Sequence, residues 1–557
     1  MLPLVEPSAC WTIGLLDHRL RVVRSHHIPD AYVRHSVVYR RMLLVVERPG
    51  TPRGVADVAA VDPTRPALVY DGEVVSFSEL DQMANGAARL FAEAGVRPGS
   101  RAAVMLDNSP ALFAVHHALA RLGALVVPMP YRLTAPEVSY MLEDSAAGIL
   151  VHGGFSAAAT GLEEMAGATG RRIPVFDATR RLGEPCSEPP SLEYLGAPVT
   201  TMTYTSGTTG RPKGIRRPAP VAARHAPPQP FAEFWGFQPS DVHLLCGPAY
   251  HTAPGAYAHM TLVEGGSVVI MQRFDAVECL RLVERHGVTT SHMVPANFIR
   301  ILQEDWQSYD LSSLRRVLHA AAPCPVVVKR RVMEVFPRGT VWEYYGASEG
   351  MVSVISPEEW IAKPGSVGRP FPGITVKILD DSGRELPAGE VGIVFASAMG
   401  GHRFEYHNAP SKTADAWRDG LFTVGDLGYV DHDGYLFLVD RRTDLIVSGG
   451  VNVYPAEVEQ ALAEDTDVVD AAVFGLPDEV MGQRVHAIVE LRAGAPRDAE
   501  TLVARLSERL AAFKLPRSVE FVDELPREPN GKVRKARLAE SRSAGPQLAW
   551  SRREEAR

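Results

Sequence analysis

From Gly54 onward the chain alternates two kinds of apolar pattern, and that alternation restricts its fold more than any other feature. Ala67-Leu68-Val69-Tyr70 and Val74-Val75 flank Asp71-Gly72, a dipeptide that turns a hairpin readily because both residues tolerate positive φ. Ser76-Phe77-Ser78-Glu79 then reads as a capping box. The helix it opens places Leu80, Met83, Ala84, Ala87, Leu90 and Phe91 on one face, and Gly95 closes it. A strand at 102–106, a helix from Ser109-Pro110 to Gly123 and the run Leu125-Val126-Val127-Pro128 follow. Short apolar strands separated by amphipathic helices bury both patterns as a helix-covered sheet, so an α/β architecture is predicted through residue 440. From Gly389 the strands shorten and turns such as Asp433-Gly434 dominate, which predicts a β-rich subdomain. Past Arg441 a smaller α+β pattern is predicted, with a helix at 456–463, strands at 468–474 and 485–491, a helix at 499–513 and a strand at 518–522.

The remainder is less patterned. Residues 1–50 are mixed in charge with no sustained period and read as an extension, flexible or accessory. A Pro-rich stretch at 218–230 interrupts the alternation, and residues 541–557 are charged and polar, which predicts a disordered tail. The length of 557 residues, 46% hydrophobic and 22% charged, fits a multidomain globular protein able to bury large cores. A formal net charge of −8 gives no reason to expect a nucleic-acid partner. Cys10, Cys186, Cys246, Cys279 and Cys324 are odd in number, scattered and without a CxxC pair. They predict a reducing, cytoplasmic setting with neither a disulfide framework nor a zinc site. His26-His27 has no partner cluster and reads as a surface pair. No stretch approaches 18 uncharged apolar residues and the start lacks a basic n-region, so no membrane span or signal peptide is expected.

Chemistry concentrates in Thr203-Tyr204-Thr205-Ser206-Gly207-Thr208-Thr209-Gly210-Arg211-Pro212-Lys213-Gly214, which follows an apolar β-branched run. Glycines let a backbone approach a polyphosphate, hydroxyls donate to its oxygens, and Lys213 adds a compact charge. Lys213 is followed by Gly214 and not by Ser or Thr, so this is not a Walker A loop. Four more elements follow in order: Tyr344-Tyr345-Gly346-Ala347-Ser348-Glu349, Val424-Gly425-Asp426, Asp440-Arg441-Arg442-Thr443-Asp444 running into residues 448–457, and Pro526-Arg527-Glu528-Pro529-Asn530-Gly531-Lys532. Only eight of the 58 basic residues are lysines, and Lys213 and Lys532 both fall inside these elements.

Together these five elements resemble those of the adenylate-forming superfamily, which includes AMP-forming acyl- and aryl-CoA synthetases. The resemblance implies a large N-terminal domain of α/β subdomains plus a β-rich subdomain (residues 51–440), a hinge near Thr443 and a small mobile α+β C-terminal domain (441–540). It implies ATP, Mg²⁺ and CoA as reagents: an acid and ATP give an acyl-adenylate and pyrophosphate, and a thiol then takes the acyl group and releases AMP. Thr205, Ser206, Gly207, Thr208, Thr209, Gly210 and Lys213 would then cradle the β- and γ-phosphates. Glu349 would ligate Mg²⁺. Tyr345 would stack on adenine beside Gly346, Ser348 would donate to the α-phosphate, Asp426 would accept from the ribose diol, and Arg441 would reach the ribose or phosphate. Lys532 would bridge the acyl carboxylate and α-phosphate. Three positions depart from the family pattern: Ser348 and Val424 each stand for threonine, and Thr443 for Asp or Lys.

The same resemblance narrows the acid and the acceptor. Amino-acid-activating members carry an aspartate in the stretch that corresponds to residues 248–257, and none is present here. Tyr250-His251 matches an aromatic-His pair near the acyl carboxylate and thiol path, to which Ala256, Ala320, Ser448, Gly449, Gly450 and Tyr454 would also belong. Pocket candidates are small or apolar, so the substrate is expected to be a fatty, aromatic or polycyclic acid. Only fifteen residues separate Glu349 from Gly365, which leaves no room there for the insertion of carrier-loading acyl-AMP ligases. An acyl-AMP ligase that loads a carrier protein and an inactive nucleotide or acyl binder remain the alternatives, and a homodimer remains open.

Overall fold

The computed structural model describes residues 10–16, 19–25, 54–153, 173–180, 182–190, 199–205, 212–217, 234–401, 403–543 and 550–551. The chain divides into two compact units, one comprising Met1–Arg273, Arg285–His292 and His402–Thr413, the other Phe274–Glu284, Met293–Gly401 and Ala414–Arg557.

In the first unit a parallel four-stranded sheet runs in the order Leu125–Pro128, Arg101–Met105, Ile149–His152, Val175–Asp177. A second set of parallel strands joins Val242–Leu245, Ser267–Ile270 and Pro66–Tyr70, and Glu73–Ser76 closes it antiparallel. The hairpin forms as predicted, with Asp71 at φ 51° and Gly72 at φ 81°. Ser76 caps the helix Phe77–Glu93 by accepting from Glu79 N–H, while the Glu79 carboxylate accepts from Ser76 N–H. Phe77, Leu80, Phe91, Phe113 and Leu119 from this helix and Pro110–Arg121 are buried in one core with the strands. Within that core the Arg121 guanidinium is charge-paired to Asp81 at 2.6 Å.

In the second unit Arg316–His319, Val341–Ala347, Gly350–Ile355 and Arg369–Pro370 are hydrogen-bonded in that order. An antiparallel sheet built on Gly392–Ser397, Asp426–Val430 and Leu436–Arg441 is the expected β-rich part. A third sheet carries Ile446–Ser448, Val451–Val453, Val468–Asp478, Gly482–Leu491 and Ser518–Val522, packed against helices Pro455–Ala463 and Ala499–Ser507. The fold is thus mixed α/β, with a large N-terminal and a small C-terminal part.

Three expectations need correction. The helix predicted at 499–513 ends at Ser507, and Ala512–Lys514 forms a separate 3₁₀ turn. Pro516 disfavours helical geometry at Leu515, and the chain is already extended at Ala511 (φ −61°, ψ 148°). The tail predicted as disordered is partly built: helix Lys535–Ser543 runs into it, the Arg542 guanidinium forks onto Glu520 at 2.6 and 2.7 Å, and Trp550–Ser551 pairs with Ser518 and Val519. The extension contains two strands, Cys10–Leu16 and Arg19–Ser25, paired in register with each other. The Pro-rich stretch at 218–230 lies outside the described residues. Cys246 and Cys279 are buried, and Cys186 and Cys324 partly so. Among the described residues no helix is long and apolar enough to cross a membrane.

The two strands of the extension pair with each other, and residues 1–50 supply none of the five sequence elements. A variant lacking residues 1–50 is therefore expected to keep ATP–pyrophosphate exchange. Loss of exchange with the thermal transition intact would show that the extension completes the site.

Candidate active site

Three of the candidate residues meet at one carboxylate. Tyr345, on strand Val341–Ala347, donates its hydroxyl to Asp426 Oδ2 at 2.5 Å. Arg441, at the end of Leu436–Arg441, donates from Nε to Asp426 Oδ1 at 3.0 Å. Asp426 and Arg441 are brought opposite each other by strand register, so the pair follows directly from the antiparallel pairing. Burial first, and the Asp426 carboxylate second, push the Tyr345 phenol well above its ordinary pKa, which keeps it a donor. Asp426 raises the Arg441 pKa against the opposing effect of burial. Each carboxylate oxygen of Asp426 keeps a further lone pair for another donor.

A β-bulge between Tyr345 and Gly346 re-aims the strand before it turns at Ser348-Glu349, with Ala347 opposite Gly350. Gly346 leaves no room for a side chain: a Cβ there would lie 2.8 Å from Gly350 O. Tyr345 also borders a shallow recess lined by Val352, Val394, Ala396, Phe422 and Val424 among others. Val424, which stands where the family pattern has threonine, is part of that lining.

Lys532 belongs to the same cluster. Water reaches this side chain although protein crowds most of its surroundings. That crowding first, and the Arg441 charge second, lower its pKa, while Asp426, Glu349 and Glu528 pull it back up. The loop that presents it is closed by Glu528 N–H donating to Lys532 O (2.8 Å) and Gly531 N–H to Glu528 O (2.7 Å). Arg527 braces it, donating to Gly531 O at 2.7 Å while forking onto Asp470 at 2.7 and 2.6 Å. Gly531 has φ 79°, and a Cβ there would meet Val294 Cγ2 at 2.7 Å, so both backbone and space require glycine. Tyr345, Glu349, Asp426, Arg441 and Lys532 are thereby brought together. Thr443 is exposed just beyond Arg441 and donates to Asp444 Oδ1 at 3.3 Å.

The glycine-rich loop is described only at its base. Thr205 and Lys213 are register partners on strands Thr203–Thr205 and Lys213–Arg216, and the Lys213 ammonium sits 5.2 Å above the Tyr406 ring. Ser206, Gly207, Thr208, Thr209 and Gly210 lie outside the described residues. A Cβ at Gly214 would lie 2.5 Å from Met202 Cε and 3.1 Å from the Tyr204 ring, so those side chains would have to shift.

Among the acyl and thiol candidates, Tyr250 is buried edge-on to Tyr131 (centroids 5.8 Å apart), and His251 precedes helix Thr252–Val263 as its N-cap. Ala256 is solvent-accessible on that helix, and all three residues lie in the first unit. Ala320, Ser448, Gly449, Gly450 and Tyr454 lie in the second. Ala320 is buried at the end of Arg316–His319. Gly449 (φ 59°) and Gly450 (φ 80°) turn the tight hairpin between Ser448 and Val451, and Tyr454 caps Pro455–Ala463.

Sequence reasoning missed several polar side chains of this unit. Arg300 pairs with Glu490 and Glu524, Lys535 with Glu459 at 2.7 Å, and Lys329 with Glu343 at 2.5 Å. Lys535 had a signal, as one of eight lysines three residues after Lys532. For Arg300 there was none, because its partner is 190 residues away.

Comparison with known proteins gives the class of protein. The chain matches the AMP-binding enzyme family over residues 55–400 and the AMP-binding enzyme C-terminal domain over 457–532. It belongs to that family, the adenylate-forming enzymes, and within it to the AMP-forming acid–thiol ligases. It is 35% identical over 497 residues to a feruloyl-CoA synthase of an Amycolatopsis species, covering 86% of this chain and 96% of that one. It is 33% identical over 499 residues to the fatty acid–[acyl-carrier-protein] ligase ScoC of Streptomyces coeruleorubidus, covering 86% and 93%. The o-succinylbenzoate-CoA synthetase of Bacillus subtilis is similar in structure. Its acyl-adenylate complex superposes with a TM-score of 0.74 at 29% identity, covering 89% of this chain and 99% of that one. Its complex with ATP and magnesium gives 0.73 at 30%, covering 87% and 98%.

Proposed function

We propose that this protein is an ATP-dependent carboxylic acid–CoA ligase that works through an acyl-adenylate and releases AMP and pyrophosphate. The observation that carries this reading is the convergence of Tyr345, Asp426, Arg441, Glu349 and Lys532. It offers a ring, a diol acceptor and two cations to a nucleotide and a second anion. A free carboxylate resists thiols because its charge repels nucleophiles and oxide is a poor leaving group. Joining it to AMP removes both obstacles.

In this reading Asp426 accepts from the ribose hydroxyls with its remaining lone pairs, and its bond to the Tyr345 hydroxyl fixes the ring that faces the base. Arg441 and Lys532 would serve the acid carboxylate and the α-phosphate. Their charges offset the repulsion between two anions and the charge that develops as the carboxylate attacks phosphorus. Lys213 and residues 205–210 hold the leaving pyrophosphate. Glu349, a carboxylate at a hairpin tip that shares the surroundings of Lys532 with Asp426, would hold Mg²⁺, which takes one or two protein carboxylates and completes its shell with phosphate oxygens and water. When bound, the ion would neutralise phosphate charge.

The small or apolar residue types at Ala256, Met260, Ala320 and Met351, with no acid at 248–257, support a fatty, aromatic or polycyclic acid. Relatives that use CoA and a carrier protein both exist, so the test carries both thiols. The protein is incubated with ATP, Mg²⁺ and a panel of such acids, with CoA, with a phosphopantetheinylated carrier protein and with neither. Acyl-CoA with stoichiometric AMP is the expected product. Pyrophosphate release with transfer only to the carrier would replace CoA as acceptor, and no pyrophosphate with any acid would favour an inactive binder.

A further inference from the structure

We propose that Lys329, Glu343 and His319 form a buried positioning unit that holds the turn at residues 320–322 and the Tyr345 ring where the nucleotide base is received. This rests on the nucleotide reading above and goes beyond it, since none of the three is needed to touch the nucleotide. Lys329, on helix Val326–Val335, is fully buried; its Nζ lies 2.5 Å from Glu343 Oε2 and 4.8 Å above the Trp360 ring. His319 is also fully buried, with Nε2 3.6 Å from the same carboxylate oxygen. Helix and two strands thus meet at one carboxylate.

Their places on the strands give the cluster its reach. Glu343 and Tyr345 are two residues apart on one strand and face the same side of the sheet. His319 is the register partner of Glu343 on the neighbouring parallel strand and is followed directly by Ala320. So the cluster sits one pleat below Tyr345 on one strand and at the root of the 320–322 turn on the other.

Two further facts point away from a merely structural role. Burying an ion pair yields little stability compared with well-packed apolar side chains, and the best-attested use of one is to fix a single arrangement. And that arrangement holds unusual backbone: Ala321 has φ 78°, a left-handed conformation relaxed only for glycine, and the bulge at Tyr345/Gly346 follows Glu343 by two residues. Burial lowers the Lys329 pKa and raises that of Glu343, and their mutual attraction opposes both changes. The short bond between them persists whichever partner holds the proton.

The test measures ATP and AMP affinity by calorimetry together with the thermal midpoint, and needs no knowledge of the acid. The variant K329M/E343L removes the tether without leaving a lone buried charge. K329Q/E343Q keeps a neutral hydrogen-bonded one. The expected result is a Kd for AMP raised about tenfold in K329M/E343L, the loss of one well-formed bond's worth of positioning, and largely restored in K329Q/E343Q. Wild-type affinity in K329M/E343L, or equal loss in both double variants, overturns the proposal. Should K329M/E343L not fold, H319L reads the same link while keeping the Lys329–Glu343 pair. Weaker AMP binding at an unchanged midpoint supports the proposal, and wild-type binding overturns it. A wild-type chain that binds neither nucleotide overturns the nucleotide reading and this inference with it. Wild-type binding matched by K329M/E343L overturns the inference alone.

Discussion

Lys532→Ala is expected to lose acyl-adenylate formation by at least about 10²-fold while leaving thiolysis of a supplied acyl-adenylate near the wild-type rate. The ammonium is useful only while acid and ATP phosphate are being joined, because that step brings two anions together. Its surroundings suit this use: Arg441 adds a second positive charge, and Asp426, Glu349 and Glu528 oppose the lowering of its pKa by crowding and by Arg441. In the proposed mechanism the thiol step uses a different part of the C-terminal region, around residues 448–454, after that region has turned about the hinge near Thr443. Single-turnover assays that follow pyrophosphate in one arm and acyl-CoA from synthetic acyl-adenylate in the other separate the two. Equal losses in both arms would contradict a two-conformation mechanism. No loss in either would remove Lys532 from catalysis.

Asp426→Ala is expected to weaken AMP binding by about 10–10²-fold, because it deletes charge-assisted acceptors worth about 1.5–3 kcal/mol. It also strands the buried Tyr345 hydroxyl and frees the half-exposed Arg441 guanidinium to water. The folded state should therefore lose about 1–3 kcal/mol in addition, the cost of an unsatisfied buried donor. A companion Tyr345→Phe/Asp426→Ala variant removes the stranded hydroxyl and should recover part of that stability without recovering affinity. Calorimetric AMP titration beside thermal melts checks both. Unchanged AMP affinity in Asp426→Ala would show that the carboxylate serves the Tyr345–Arg441 contact alone and does not meet the ribose.

Local chemistry made much of this protein legible from sequence. Asp71-Gly72 turned where two positive φ angles were expected, and Ser76-Phe77-Ser78-Glu79 closed its reciprocal cap. Each signal depends on residues within four positions of one another. The α/β alternation was readable for the same reason, as were the elements that carry Tyr345, Asp426 and Lys532. The helix at 499 was overrun because its apolar period continues to Phe513, whereas Pro516 and the burial of Leu510 and Leu515 decide where it stops. The tail looked disordered by composition, yet Arg542 finds Glu520 and Trp550 finds the edge of Ser518–Val522.

By itself the sequence determined the element types and the order of the chemical motifs, because backbone preference and side-chain period are local properties. Tertiary structure alone decided that Asp426 holds Tyr345 with one oxygen and Arg441 with the other, and that Arg527 braces the Lys532 loop from Asp470. It alone decided that Lys329 is spent on a buried carboxylate beneath the site. Such partners are 14 to 81 residues apart. A charge carries no sign in sequence of which distant charge it will meet, since that choice is made by strand register and by what burial forbids to remain unpaired.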